Sequence, residues 1–166
     1  MKNKYIPLFA MFLFFYSCEK DSDQKSSVDR LIPDRTIYIA GSSYNSAGDM
    51  TACYWVDGVR NELPGGAWAT DIALSNGDVY ISGTSESYNA CYWVNQQRYD
   101  LPGLGGEAEA IAVNGDDVYV AGWYNNGSCY WENGQKIDLT VNRDSQAFAI
   151  GIRNNGSVYI LSLIHI

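Results

Sequence analysis

The sequence predicts an all-β fold, specifically a partial, open β-propeller of about three four-stranded blades after a signal peptide and a linker. One strand motif recurs at intervals of about 40 residues. Turn-forming residues separate the short apolar runs. No apolar period of about 3.6 residues appears after residue 36, so no helix is expected there.

Four markers recur in the same order along the chain, and this internal repetition is the strongest signal in the sequence. The first is a strand of the Val-Tyr-Val-Ala-Gly type and the second is Cys-Tyr-Trp. The third is Leu-Pro-Gly and the fourth is an Ile-Ala-type strand. The strand tyrosines are Tyr38, Tyr80, Tyr119 and Tyr159; the second marker starts at Cys53, Cys91 and Cys129; the third starts at Leu63 and Leu101; the fourth contains Ile72, Ile111 and Ile150.

Each unit is predicted to contain four antiparallel strands, called A to D here. The Ile-Ala-type A strand turns at an Asn-Gly-type hairpin into the tyrosine-bearing B strand, because Asn and Gly tolerate positive φ. The C strand carries Cys-Tyr-Trp and turns again into a short D strand. In one B strand, Val79 and Ile81 point one way while Tyr80 and Ser82 point the other. Both faces therefore need cover, which stacked blades provide; a flat solenoid and a sandwich are the alternatives.

The small residues Ala73, Ala112 and Gly151 in the A strands are suited to a crowded inner strand near a propeller axis. The run from Cys91-Tyr-Trp-Val-Asn through Asp100-Leu-Pro-Gly-Leu-Gly-Gly to Ala110-Ile-Ala-Val-Asn-Gly resembles the extracellular HAF repeat family. The resemblance covers residues 37–161 and implies a propeller fold and secretion. It implies no substrate, and this chain has Cys-Tyr where the family usually has His-Ala-Phe.

The first residues predict export and lipid attachment. Residues 1–17 combine an early positive charge with a short apolar stretch, which is typical of a secretory signal peptide and too short to span a bilayer. Ser17-Cys18 resembles a bacterial lipoprotein processing site, which implies lipidation of Cys18. Residues 18–35 are then the lipidated Cys and a flexible linker, and the acidic run after Cys18 resembles a surface-export signal of Bacteroidota lipoproteins. The expected location is the outer membrane, lipid-anchored, on the cell surface or the periplasmic face.

The repeats are assigned to residues 36–160, and residues 161–166 break their pattern. Reverse-translated, Leu161-Ser-Leu-Ile-His-Ile fits a transposase adapter from sequencing libraries, so we interpret these residues as a non-native tail. Because a closed ring has about four to eight blades, we expect the natural protein to be about twice as long.

The formal net charge of −8 argues against nucleic acid as a partner, because phosphates require a basic surface. The expected partners are the membrane, through the N-terminal lipid, and an unknown glycan or protein ligand. No cofactor and no metal are expected. The repeated cysteines lie too far apart on neighbouring blades for a disulfide or a shared zinc ion, and are interpreted as buried apolar residues.

Trp55, Trp93 and Trp131 keep fixed positions in the repeat and are predicted to pack between blades. Aromatic residues outside the repeat pattern, placed in loops, are the better candidates for ligand binding. The predicted ligand-binding residues are Trp68, Trp123, Tyr124, Tyr44, Tyr88, Glu107 and Glu109.

No catalytic residue is assigned, and the leading hypothesis is a non-catalytic propeller for binding or scaffolding. The alternative is a polysaccharide-acting enzyme with its active site in missing blades. For such an enzyme, Glu107 and Glu109 at the start of one A strand and Asp71 at the start of another are the available acids.

Overall fold

The computed structural model describes residues 35–125, 127–139, 144–153 and 155–164. The predicted signal peptide (residues 1–17), Cys18 and the linker up to residue 34 lie outside the described residues. Within the described ranges all regular secondary structure is β-strand, and no helix is long and apolar enough to cross a membrane. The strands are β1 Tyr38–Tyr44, β2 Met50–Val56, β3 Val59–Glu62, β4 Gly66–Ser75, β5 Asp78–Ser85, β6 Ala90–Val94, β7 Gln97–Asp100, β8 Gly106–Asn114, β9 Asp117–Tyr124, β10 Gly127–Glu132, β11 Gln135–Asp138, β12 Ser145–Ile152 and β13 Val158–Ile164.

The strands form four antiparallel sheets in chain order. The first sheet is β1-β2-β3, the second is β4-β5-β6-β7, the third is β8-β9-β10-β11 and the fourth is β12-β13. The all-β prediction is confirmed, and the second and third sheets have the predicted A-to-D strand order. The described part of the first sheet lacks an A strand, and that of the fourth sheet contains only A and B strands.

Tight turns with left-handed backbone join neighbouring strands, as the Asn-Gly pattern predicts. Asn76 has a φ of 53° and Gly77 a φ of 89° between β4 and β5. Asn133 and Gly134, with φ of 50° and 79°, form the equivalent turn between β10 and β11. Such two-residue turns match the right-handed twist of the strands that they join.

The A strand of each sheet packs against the preceding sheet. Thus β4 contacts β1 and β2, β8 contacts β4, β5 and β6, and β12 contacts β8, β9 and β10. Hydrogen bonds reinforce this stacking: the Thr70 hydroxyl donates to the Ala108 carbonyl at 2.6 Å, and the Ser75 hydroxyl donates to the Gly115 carbonyl at 3.3 Å. The described sheets are therefore stacked in sequence order.

Alternating residues of one strand enter two different apolar cores. The core between the first and second sheets contains Ala52, Tyr54, Leu63, Val79, Ile81, Cys91 and Trp93. The core between the second and third sheets contains Tyr80, Ala90, Leu101, Ala108, Ile111, Val118, Val120, Cys129 and Trp131. Because Val79 and Ile81 lie in one core and Tyr80 in the other, the predicted two-faced sheet is confirmed. Full burial of each large apolar side chain stabilises such a stack by about 1.5–3 kcal/mol.

The repeated tryptophans of the second and third sheets are buried in the cores between neighbouring sheets. Trp93 is fully buried, and its indole N–H donates to the Pro64 carbonyl at 3.2 Å. Trp131 is buried likewise, and its indole N–H donates to the Pro102 carbonyl at 3.1 Å. The predicted packing role is confirmed for these two, whereas Trp55 in the first sheet is only half-buried.

Each A strand contains a β-bulge at the same repeat position. The register shifts between Ala69 and Asp71 in β4, between Ala108 and Ala110 in β8, and between Ala147 and Ala149 in β12. The inserted residues are Thr70, Glu109 and Phe148. A bulge re-aims the side chains beyond it and bends the strand, so the start of each A strand departs from the regular repeat.

The strand β13 runs through Ile164, so residues 161–164 of the predicted non-native tail pair with β12. Residues 165 and 166 lie outside the described residues. The origin of the tail stays a prediction.

Candidate functional site

All the predicted ligand-binding residues lie at one edge of the sheets, which we call the loop edge. At this edge the B strands end and the A strands begin, because consecutive antiparallel strands alternate in direction. Tyr44 ends β1, Tyr88 follows β5, and Trp123 and Tyr124 end β9. Trp68 lies near the start of β4, and Glu107 and Glu109 near the start of β8. At the loop edge, the Gly105 backbone N–H donates to the Asn89 side-chain oxygen at 3.0 Å and joins the second sheet to the third.

This placement corrects part of the sequence interpretation. Trp68, Trp123, Tyr124 and Tyr44 belong to strands and not to loops; only Tyr88 lies in a turn. The A strands begin earlier than the Ile-Ala motif, because a bulge allows pairing to continue beyond it. For the same reason Asp71 lies within β4 and does not open it.

A cleft lies at the loop edge between the first and second sheets, and we call it the Trp68 cleft. Its volume is about 560 Å³. Trp68 and Tyr88 form an aromatic pair there, with ring centroids 5.5 Å apart and ring planes tilted by 51°. The lining residues are Asn45, Gly48, Asp49, Met50, Thr51, Ala67, Trp68, Glu86 and Tyr88.

The turn between β1 and β2 forms one wall of this cleft. The side-chain oxygen of Asn45 accepts the backbone N–H groups of Ala47 and Asp49, both at 2.9 Å. The Asp49 carbonyl in turn accepts the Asn45 N–H at 2.8 Å. An Asx-type turn of this kind fixes a short loop locally and so positions the Asp49 carboxylate.

The turn between β5 and β6 forms the opposite wall and presents Tyr88. The φ of Tyr88 is 59°, a left-handed conformation that costs a non-glycine residue about 1–2 kcal/mol. Hydrogen bonds from the Tyr88 N–H to the Ser85 carbonyl at 2.9 Å and from the Asn89 N–H to the Ser85 hydroxyl at 3.2 Å hold this conformation. The Tyr88 side chain remains 63% exposed, so its ring can meet a ligand.

The main chain of Trp68 is fixed by a close approach of two strands. Trp68 pairs with Thr84 across the sheet, and the Trp68 carbonyl oxygen lies against the α-carbon of Gly83. Only glycine leaves room for this approach. The indole ring is half-buried, which leaves part of its surface available in the cleft.

A second group at the loop edge combines two carboxylates with an indole. Glu107 pairs with Trp123 across β8 and β9, and Glu109 is the bulge residue of β8. Partial burial raises the pKa of the Glu109 carboxyl, and the neighbouring Glu107 raises it further, whereas hydrogen bonding to Trp123 lowers it. Glu107, Glu109 and Trp123 are thus brought together as predicted ligand-binding residues.

Tyr124 and Tyr44, also predicted to bind ligand, are not among the residues that line the Trp68 cleft. The Tyr124 ring packs against the core between the second and third sheets, over Gly103, and the Lys136 ammonium nitrogen lies 4.4 Å from its centroid. Tyr44 is 70% exposed and does not line the Trp68 cleft.

Sequence reasoning missed the polar residues of the cleft, which are Asn45, Asp49, Thr51 and Glu86. Glu86 follows β5 at the repeat position that Tyr44 holds in the first unit, so alignment of the units is a signal that could have found it. No comparable signal identifies Asp49, because its position depends on the turn that Asn45 builds.

The remaining acid considered for catalysis has a structural partner. One Asp71 carboxylate oxygen accepts the Ile72 N–H at 2.8 Å, and the other accepts the Ile111 N–H of the next sheet at 3.0 Å. Asp71 thus connects the bulged region of β4 to β8.

The repeated cysteines are free and buried, as predicted. Burial raises the pKa of Cys91 and of Cys129 to about 12, so both remain thiols at neutral pH. No cluster of potential metal ligands occurs in the part of the chain that the structure describes.

Comparisons with protein-family models, with curated proteins and with solved structures each found no match.

Proposed function

We propose that this chain is a lipid-anchored, non-catalytic β-propeller module that binds a glycan in the Trp68 cleft. The observation that carries the binding proposal is the tilted Trp68–Tyr88 pair, flanked by an amide and two carboxylates. Aromatic rings offer apolar faces to the C–H surface of a sugar, while Asn, Asp and Glu oxygens accept its hydroxyl hydrogens.

The size of the cleft favours a sugar over a folded protein partner. Small-ligand sites have volumes of about 300–1,000 Å³, and the cleft volume of about 560 Å³ falls in this range. A stable protein–protein interface instead covers about 800 Å² on each partner. The strained backbone of Tyr88 also supports a binding role, because such strain concentrates at functional sites.

The propeller proposal rests on how the sheets stack. Each A strand packs against the preceding sheet, as the inner strands of blades do. Ile37, just before β1, and Ile39, in β1, are 58% and 53% exposed, whereas the equivalent Val79 and Ile81 are buried by a neighbouring sheet. A ring would cover Ile37 and Ile39 with another sheet of the same kind.

The non-catalytic part of the proposal rests on the two glutamates. Partial burial, and after it the neighbouring Glu107, raise the pKa of the Glu109 carboxyl. Retaining glycosidases hold their carboxyl groups about 5–5.5 Å apart and inverting enzymes hold them farther apart. Glu107 pairs with Trp123 and Glu109 is the bulge residue of β8, so both carboxyl groups belong to one short strand segment beside an indole ring, which is suited to hydrogen bonding of a bound sugar.

The anchor is tested by changing Cys18 to Ala in the full chain. We expect the variant to lose incorporation of labelled fatty acid and to move from the membrane fraction to the soluble fraction. Two or more lipid chains are needed for stable anchoring, so loss of the lipidated residue has a large effect. Membrane association that persists without fatty-acid labelling would contradict the anchor.

Glycan binding is tested with a broad glycan array and the full chain in detergent. Tyr88→Ala should weaken binding to any hit at least about tenfold, corresponding to about 1.4 kcal/mol, and Trp68→Ala should weaken it similarly. Tyr99→Ala is the matched control, because Tyr99 is also a partly exposed aromatic residue. It lies in the D strand β7, where its ring stacks on that of Tyr92 in β6. Binding of no glycan, or equal losses in Tyr99→Ala and Tyr88→Ala, would contradict the proposal.

A further inference from the structure

We infer that the Trp68 cleft selects a glycan carrying a protonated amino group, such as a glucosamine oligosaccharide. This inference rests on the proposed glycan-binding function and adds the charge of the ligand. It is carried by the charges that line the cleft and by the aromatic pair between them.

The charged side chains of the cleft are both acidic. Asp49 lies on the wall built by the turn between β1 and β2, and Glu86 lies on the wall built by the turn between β5 and β6. No lysine or arginine is among the described residues that line the cleft. A ligand placed between the walls therefore meets negative charge from both sides.

These two carboxylates lack a cationic partner within the described ranges. Ion pairs there join Arg60 to Glu62, Arg98 to Asp100 and Lys136 to Asp138, and none includes Asp49 or Glu86. The Asp49 carboxylate accepts only a long hydrogen bond of 3.5 Å from the Asn45 side-chain amide. Both carboxylates can therefore accept hydrogen bonds from a ligand ammonium group, and such charge-assisted bonds are stronger than neutral ones.

Arg60 is the positive side chain that approaches the cleft, and its own contacts hold it at the rim. One guanidinium nitrogen donates to the Thr51 hydroxyl at 3.0 Å, and another forms the 3.2 Å ion pair with Glu62. The Nε–H donates to the Ser43 hydroxyl at 3.1 Å. Because Glu62 balances the charge of Arg60, the net charge felt inside the cleft remains negative.

The aromatic pair adds a second attraction for a cation. A cation within about 6 Å of a tryptophan or tyrosine ring is attracted by the negative face of the ring. Trp68 and Tyr88 present two such rings, 5.5 Å apart and tilted by 51°, beside Asp49 and Glu86. An N-acetylated sugar fits the same rings but has no charge for the carboxylates to pair with.

The net charge of −8 favours the approach of a cationic ligand to the whole chain, so charge alone predicts some non-specific attraction. Local recognition is distinguished from this general effect by comparing carboxylates in different places. Glu86 lines the cleft, whereas Asp116 is exposed in the turn between β8 and β9, at the edge opposite the loop edge. Neutralising either one changes the net charge equally.

The experiment measures binding of glucosamine hexamer and of N-acetylglucosamine hexamer to the full chain by calorimetry. We expect the glucosamine hexamer to bind at least about tenfold more tightly, and this preference to fall with added salt. Glu86→Gln and Asp49→Asn should each reduce the preference severalfold, and Asp116→Asn should leave it unchanged. Raising the pH through the pKa of the ligand's amine should abolish the preference.

The outcomes separate this inference from the function on which it rests. Equal binding of the two hexamers, or tighter binding of the acetylated one, would overturn the selection of an amino group and leave glycan binding intact. Equal effects of Glu86→Gln and Asp116→Asn would overturn recognition in the cleft. Failure of both hexamers and of every glycan on the array would overturn both proposals.

Discussion

Replacement of Gly83 by alanine should destabilise the folded chain strongly. Gly83 lies in β5, where the added Cβ atom would overlap the Trp68 carbonyl oxygen and lie 3.0 Å from the Trp93 ring. Neither neighbour can move freely: Trp68 is held in β4 by pairing with Thr84, and Trp93 is fully buried and hydrogen-bonded to Pro64. The methyl group must therefore force β4 away from β5.

The expected cost follows from the interactions that this movement disrupts. Overpacking a tight core costs about 1–3 kcal/mol, and each lost backbone hydrogen bond adds about 0.5–1.5 kcal/mol. A total of about 3 kcal/mol lowers the Tm of a domain of this size by about 10 °C. Thermal unfolding followed by tryptophan fluorescence and circular dichroism measures this shift.

Two other glycines provide controls of the same chemical change. Gly41 occupies the same repeat position in β1, but among the residues that the structure describes an added Cβ there meets only the Trp55 ring, at 3.3 and 3.9 Å. Gly41→Ala should therefore change stability by less than about 1 kcal/mol. At Gly151 no atom of the described residues lies within 4 Å of an added Cβ, and Gly151→Ala should stabilise the chain by about 0.4–1 kcal/mol. A Tm for Gly83→Ala within about 3 °C of that for Gly41→Ala would refute the close approach of β4 and β5.

Two further substitutions and one labelling experiment test the titration of Glu109, the reactivity of the buried cysteines and the backbone strain at Tyr88. Partial burial, and after it Glu107, raise the pKa of Glu109 above its ordinary value of 4.5. The stabilisation that the protonated Glu109 carboxyl contributes is therefore complete below pH 4.5 and is lost as the pH rises through the folded-state pKa. Glu109→Gln should therefore raise the urea midpoint at pH 7 and have no effect near pH 4; an equal gain at both pH values would contradict the raised pKa. Cys91 and Cys129, with pKa values of about 12, should resist iodoacetamide in the folded state and react after unfolding in urea; fast labelling of the folded chain would contradict their burial. Tyr88→Asn should leave the free energy of unfolding unchanged or raise it by up to about 1 kcal/mol, because asparagine tolerates the left-handed backbone better, while it weakens glycan binding; a large loss of stability would show that the ring supports the fold.

Sequence patterns predicted the parts of the fold that depend on local chemistry. Alternation in β5 separated Val79 and Ile81 from Tyr80, and the structure places them in different cores. The Asn-Gly pattern predicted the left-handed turn at Asn76, because few other residues accept that conformation. The fixed position of Trp93 in the repeat predicted its burial between sheets.

The sequence was less informative about the candidate site, because the site combines segments from different units. Aromatic residues outside the repeat were recognised, so Trp68 and Tyr88 were both predicted to bind ligand. Their pairing was not predictable, since it depends on the register of β4 against β5 and on a second register shift in β4, between Gly66 and Trp68. The strand positions of Trp123 and Glu109 were obscured in the same way by the bulge in β8.

By itself the sequence determined the all-β repeat, the strand order within a unit and the candidate aromatic residues, because these follow from side-chain alternation and turn chemistry over a few residues. Only the tertiary structure decided that Asp49 and Glu86 face the same cleft as Trp68. That arrangement depends on how the first two sheets stack, and stacking is fixed by the summed packing of buried residues such as Leu63 and Trp93.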